Sequence, residues 1–94
     1  SGGVKLIPEQ IEKKLAEVIA TRFFVYGVED LSLGQKLIAI VEGKQDLQLM
    51  ERIKNLSALD KFENPKEVYF IDQFLETENG KIKREATVKK VVNI

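Results

Sequence analysis

Two near-continuous apolar stretches, separated by a short polar segment, constrain this chain more than any other feature. They span residues 22–28 and 36–42, and both are rich in β-branched and aromatic side chains. This composition is typical of strands, and the polar segment 29–34 indicates a loop that joins them as an antiparallel pair. Because few polar residues interrupt either stretch, we expect both faces of the pair to be buried.

Helical periodicity is present before and after these strands. Ile7, Ile11, Leu15 and Ile19 share one face of a first helix, whose first turn suits Pro8. The spacing predicts further elements: a helix starting near 45–46, a third strand over 68–71 and a last helix over 84–93. We therefore predict an α+β fold, with a small three-stranded, mostly antiparallel sheet, about three packed helices and a short N-terminal hairpin.

Composition excludes several classes of function. The 94 residues give room for one domain, 1–94, and the absence of Cys and His excludes thiolate zinc sites, Cys nucleophiles and His-dependent triads. Fifteen basic residues balance 15 acidic ones, so we expect no nucleic-acid partner. Every apolar stretch is far shorter than the roughly 20 residues that cross a bilayer, and no signal peptide is evident. We expect a cytoplasmic protein with no membrane contact and no metal site.

Two glycine-containing segments are candidate sites, although neither matches a phosphate-binding loop. Residues 79–81 read Asn-Gly-Lys, which taken alone is typical of a tight turn beside a solvated lysine. Residues 1–3 read Ser-Gly-Gly, which taken alone is typical of a frayed terminus or a purification remnant. The acidic residues of the loops are interpreted as solvated charge, namely Glu29, Asp30, Glu76 and Glu78.

Five segments gain meaning from their order along the chain. They are Ser1-Gly2-Gly3 followed by Pro8-Glu9-Gln10-Ile11-Glu12, then Gly27-Val28-Glu29-Asp30, Gly34-Gln35, Leu59-Asp60-Lys61-Phe62-Glu63-Asn64-Pro65-Lys66, and Gly80-Lys81-Ile82 with Arg84. Together they resemble, over essentially the whole chain, the C-terminal domain of adenylate-forming acyl-CoA synthetases. The sequence departs from that family in lacking the proline that usually precedes the lysine loop. The resemblance implies a mobile lid of a larger two-domain ligase, whose N-terminal ATP- and acid-binding domain is absent from this sequence.

The resemblance also implies roles for six residues. Lys81 would be the catalytic lysine of adenylation, with Gly80 letting its loop approach closely. Gly2 and Gly3 would lie against the tunnel that admits pantetheine, and Phe62 and Lys66 near the nucleotide end of CoA. The alternatives are a core aromatic for Phe62 and a solvated strand-edge lysine for Lys66. ATP with Mg²⁺, a carboxylic acid and CoA would serve the full-length enzyme, whereas the isolated domain would bind no cofactor and be inactive.

The opening residues 1–12 most resemble the o-succinylbenzoate–CoA ligases of menaquinone synthesis. The expected partner is the ligase's own N-terminal domain. Two alternatives remain open at this point. The first is the lid of a peptide-synthetase adenylation domain, whose acceptor is a carrier protein. The second is a non-enzymatic α+β binding module.

Overall fold

The computed structural model describes residues 6–30 and 34–92, and the expected N-terminal hairpin lies outside them. Six elements follow one another within these described residues: α1 (Pro8–Leu15), β1 (Phe23–Asp30), β2 (Gly34–Glu42), α2 (Leu47–Lys54), β3 (Glu67–Ile71) and α3 (Arg84–Val92). The predicted α+β class, with three strands and three helices, is confirmed. Among the described residues, no helix combines the length and the apolarity needed to cross a bilayer.

The three strands form one sheet in the order β1-β2-β3, so β2 is central. β1 and β2 pair antiparallel, with Phe23 opposite Val41 and Asp30 opposite Gly34. β3 joins β2 in the parallel direction, with Ile38 opposite Glu67. The sheet is therefore mixed, because α2 crosses over between β2 and β3 and returns the chain to the same end of the sheet.

Both faces of the sheet are covered, as the apolar strands predicted. One face packs against α1 and α2 in a first cluster that includes Ile11, Leu15, Val25, Ala39 and Ile53. The other face packs against α3 and the segment before it in a second cluster that includes Phe24, Ile38, Ile40, Phe74 and Val88. Alternate residues of β2 thus belong to different clusters, because successive side chains of a strand point to opposite faces.

Local signals define the ends of the first two helices. Pro8 stands in the first turn of α1, where its missing N–H costs no hydrogen bond. Asp46 caps α2 by accepting a hydrogen bond from the Leu49 N–H at 3.0 Å. The predicted start of the second helix near residue 46 is therefore confirmed. The first helix is shorter than its apolar periodicity predicted: it ends at Leu15, and turns over 16–18 lead to Ile19.

Candidate functional site

Lys81 lies in a short hairpin, residues 75–83, that connects β3 to α3. The Thr77 N–H donates to the Lys81 carbonyl at 2.8 Å, and the Gly80 N–H donates to the Thr77 carbonyl at 3.0 Å. Gly80 has φ +82°, which a glycine adopts without steric cost. This is a three-residue loop with a left-handed glycine at its end, a common hairpin connection. Asn79 and Gly80 therefore form a turn, as their sequence predicted, and that turn presents Lys81.

The base of this hairpin is attached to α3. The Lys83 N–H donates to the Leu75 carbonyl at 2.8 Å, which closes the hairpin next to the helix start. Thr87 is fully buried, and its hydroxyl donates to the Lys83 carbonyl at 2.7 Å while accepting from the Leu75 N–H at 3.3 Å. Thr87 thus joins both strands of the hairpin to the first turn of α3.

The hairpin is also attached to the edge of the sheet through an arginine. Arg22 donates from Nε and Nη2 to both carboxylate oxygens of Glu42, at 2.9 and 2.7 Å, and from Nη1 to Glu76 Oε2 at 2.5 Å. Glu42 also accepts from the Phe74 N–H at 2.9 Å. Hydrogen bonds from Arg22 and from this backbone N–H lower the pKa of Glu42 below its ordinary value. The carboxylate therefore stays ionised between the sheet and the hairpin.

The Lys81 side chain is exposed in this arrangement. Its ammonium makes no ion pair with any carboxylate of residues 6–29 and 36–92. Basic residues predominate in the sequence that follows it, since Lys83, Arg84, Lys89 and Lys90 stand there with Glu85 as the one acidic residue among positions 80–92. An exposed ammonium on an anchored hairpin is suited to binding an anionic ligand. No group of three or more acidic side chains within the described part of the chain is arranged to hold a metal ion.

Phe62 lies in a separate turn after α2. Asp60 accepts hydrogen bonds from the N–H groups of Phe62 and Glu63 at 2.8 and 2.9 Å, and Glu63 accepts from the Asp60 N–H at 3.2 Å. These reciprocal bonds have the geometry of a capping box. The Phe62 side chain is 45% exposed, and Lys61 Nζ lies 5.2 Å from its ring centroid. Phe62 is therefore a surface aromatic, and its alternative interpretation as a core residue is wrong.

Lys66 is exposed and follows this turn immediately before β3. Its N–H donates to the Leu37 carbonyl at 2.8 Å, which starts the parallel pairing of β3 with β2. The side chain borders an open groove of about 860 Å³ between α2 and β3. The groove is lined by Leu47, Met50, Glu51, Ile53, Lys54, Asn64, Pro65, Lys66, Glu67, Val68 and Tyr69. Lys66 thus lies on the side of the molecule that carries Phe62.

The sheet separates the candidate residues into two groups. Gly80 and Lys81 belong to the hairpin whose Ile82 packs in the second cluster, as does Phe74 immediately before the hairpin. The Phe62 turn follows Leu59, which packs in the first cluster. The structure thus brings Phe62 and Lys66 to one side of the sheet and Lys81 to the other. Gly2 and Gly3 lie outside the described residues.

Sequence reasoning missed the arginine and its two carboxylate partners. Glu76 was expected to be a solvated loop charge, and this interpretation is wrong because Glu76 pairs with Arg22 across 54 positions of sequence. Charges at the ends of apolar strands, such as Arg22 and Glu42, are the one available signal. They face each other across the antiparallel pair, where opposite charges attract.

Solved structures of AMP-forming acyl-CoA synthetases share this fold. A protein from Dyadobacter fermentans described as acyl-CoA synthetase (AMP-forming)/AMP-acid ligase II-like is 36% identical, with a TM-score of 0.83 over 96% of this chain and 28% of that one. A Brucella canis acyl-CoA synthetase is 28% identical, with a TM-score of 0.64 over 94% of this chain and 18% of that one. A Mycobacterium tuberculosis fatty acyl CoA synthetase is 24% identical, with a TM-score of 0.73 over 96% and 18%.

The chain therefore spans 28% or less of the length of these three proteins. No protein-family model matches it, and neither does any curated protein sequence.

Proposed function

We propose that this chain is the C-terminal lid domain of an AMP-forming acid–CoA ligase. The observation that carries the proposal is the exposed lysine on an anchored hairpin, in a fold shared with acyl-CoA synthetases at up to 36% identity. The partner of the lid is an N-terminal domain that binds Mg²⁺-ATP and the acid. In this proposal the ATP and acid pockets belong to that N-terminal domain, so adenylation requires both domains.

Lys81 acts in the first half-reaction. A carboxylate oxygen of the acid bonds to the α-phosphorus of ATP, and pyrophosphate leaves. Negative charge concentrates where the bond forms, so an ammonium held there stabilises the transition state more than the separated reactants. Lys81 is suited to this task because its side chain is exposed and its hairpin is attached to both the sheet and α3. Gly80 keeps the turn free of any side chain beside the lysine.

The second half-reaction, in which the thiol of CoA displaces AMP, uses the opposite face of the lid. Phe62 stacks on the nucleotide end of CoA and Lys66 contacts its phosphates, while Gly2 and Gly3 border the pantetheine path. The exposure of Phe62 supports this role, because a buried ring has no face to offer a ligand. Since Lys81 and Phe62 lie on opposite sides of the sheet, a rigid-body rotation of the lid exchanges one for the other.

The acid that we propose is o-succinylbenzoate, on the resemblance of residues 1–12 to its CoA ligases. This choice is tested by assaying the full-length ligase that carries this chain with o-succinylbenzoate and with a fatty acid. A carrier-protein thiol, tested beside free CoA as the acceptor, identifies a peptide-synthetase lid instead. A chain that promotes neither half-reaction when joined to its ATP-binding domain is a non-enzymatic module.

The test of the catalytic role is Lys81→Ala in the full-length ligase. We expect adenylation to slow by about 10²- to 10³-fold, the usual effect of removing one electrostatic contact with a transition state. Supplied acyl-adenylate should still react with CoA at the wild-type rate, because Lys81 has then rotated away. Each half-reaction is measured by single turnover, since steady-state rates mix the two steps.

Lys90→Ala is the matched control, because it removes the same charge from an exposed position on α3. It should leave both half-reactions unchanged. If Lys81→Ala adenylates the acid at the wild-type rate, Lys81 is an ordinary turn lysine and the proposal fails.

A further inference from the structure

Arg22 joins three parts of the fold that are far apart in sequence. Its guanidinium forms a bidentate pair with Glu42, at the end of β2, and a third hydrogen bond with Glu76, in the first strand of the hairpin. Such forked pairing fixes direction as well as distance, because the guanidinium is planar and its donors are rigidly spaced. The charges therefore hold the hairpin in one orientation relative to the edge of the sheet.

The pair of Arg22 and Glu42 also holds Phe74, the residue immediately before the hairpin. Glu42 Oε2, which accepts from Arg22, also accepts from the Phe74 N–H at 2.9 Å. The guanidinium carbon of Arg22 lies 5.5 Å from the centroid of the Phe74 ring. Two positions of the strand that enters the hairpin, 74 and 76, are thus fixed by one arginine–glutamate pair.

Glu76 transmits this constraint towards the catalytic lysine. It forms an antiparallel bridge with Ile82, the residue that follows Lys81. A shift of Glu76 relative to Arg22 therefore moves the backbone beside Lys81. We propose that Arg22, through Glu42 and Glu76, is a positioning residue for Lys81 in the adenylation step, an inference that rests on the proposed function.

Activity and stability should respond differently to loss of this contact. The side chains of Arg22 and Glu76 are 41% and 34% exposed, and ion pairs at such positions add little to folding stability. Catalysis is far more sensitive to position, since a displacement of about 1 Å can slow a reaction about 10²-fold. A variant that folds normally but adenylates slowly is the signature of a positioning role.

Two substitutions test the inference in the full-length ligase. Glu76→Gln removes the charge that faces Arg22, and Arg22→Lys keeps the cation but cannot form the fork. Each should slow adenylation by about 10- to 10²-fold. Each should also leave the reaction of supplied acyl-adenylate with CoA at the wild-type rate. Glu76→Gln, which keeps the pair between Arg22 and Glu42, should leave the melting temperature at the wild-type value. Glu85→Gln is the matched control, because it makes the same change in a surface ion pair with Lys89 that does not touch the hairpin.

Lys81→Ala, assayed beside these variants, separates the two ideas. If Lys81→Ala is slow while Glu76→Gln and Arg22→Lys adenylate normally, the positioning role is overturned and the proposed function stands. Equal losses in both half-reactions would indicate a structural role and also overturn the inference. Normal adenylation by Lys81→Ala would overturn both.

Discussion

Thr87→Val should loosen the hairpin from α3 with little change in side-chain volume. Thr87 is fully buried, and its hydroxyl makes two hydrogen bonds, one to the Lys83 carbonyl and one from the Leu75 N–H. Valine replaces that hydroxyl with a methyl group. The substitution therefore removes polar contacts without opening a cavity, which makes its cost attributable to hydrogen bonding.

The two lost bonds should not cost the same. The Lys83 carbonyl keeps a partner, because it also accepts from the Thr87 N–H at 2.9 Å, and that bond survives the substitution. The Leu75 N–H loses the hydroxyl that it donates to. An unsatisfied, partly buried donor costs about 1–3 kcal/mol, so the free energy of unfolding should fall by about that amount. For a chain of this size, each kcal/mol lowers Tm by about 4–8 °C.

Urea unfolding and amide exchange of the 94-residue chain measure the two consequences. Exchange of the Leu75 amide should accelerate in Thr87→Val and stay near the wild-type rate in Thr87→Ser, which keeps the hydroxyl. Serine removes one buried methyl, so its own loss should be near 1 kcal/mol. A Thr87→Val chain with wild-type stability and an unchanged Leu75 amide would refute the role assigned to the hydroxyl.

Two further predictions concern the hairpin and its attachment. Gly80→Ala should destabilise the chain by about 1–2 kcal/mol in urea unfolding, because Gly80 is left-handed, while an added Cβ would meet no atom within 4 Å. Gly80→Asn should cost less because asparagine tolerates this conformation, and equal stability of all three chains would exclude a backbone origin. The lowered pKa of Glu42 implies that its carboxylate stabilises the fold above its ordinary pKa of 4.5, and that this contribution is lost as pH falls through the lower folded value. The difference in unfolding free energy between wild type and Glu42→Gln should therefore shrink from pH 7 to pH 3, and a constant difference would contradict the assignment.

The strands and helices were predictable because their signals are local. Residues 22–28 and 36–42 are apolar over most of their length, and strands cover nearly the same positions. The parallel direction of β3 was not predicted, because it depends on the end of the sheet at which the chain arrives after α2. The order of a strand, a helix and a strand over residues 34–71 is the available signal for a parallel pair.

The turn that carries Lys81 was predictable because one segment is sufficient to define it. Gly80 and Lys81 are adjacent in sequence, and a glycine in a polar loop indicates a turn. The Arg22 contacts were not predictable in this way, because they join residues 20 and 54 positions apart. The exposure of Phe62 depends on the direction of its turn, which the capping by Asp60 sets and which the aromatic itself does not indicate.

The central position of β2 changes what specifies its alignment with its neighbours. In a strand with one wet face, a slip by one residue would expose the apolar side chains, so hydrophobicity alone fixes the register. In β2 the residues from Leu37 to Val41 are all buried, and a slip would exchange one apolar set for the other. Register must then come from side-chain size, with the small Ala39 between Ile38 and Ile40, and from the ion pairs of Lys36 and Glu42. A substitution that conserves hydrophobicity in this strand is therefore not conservative unless it also conserves volume.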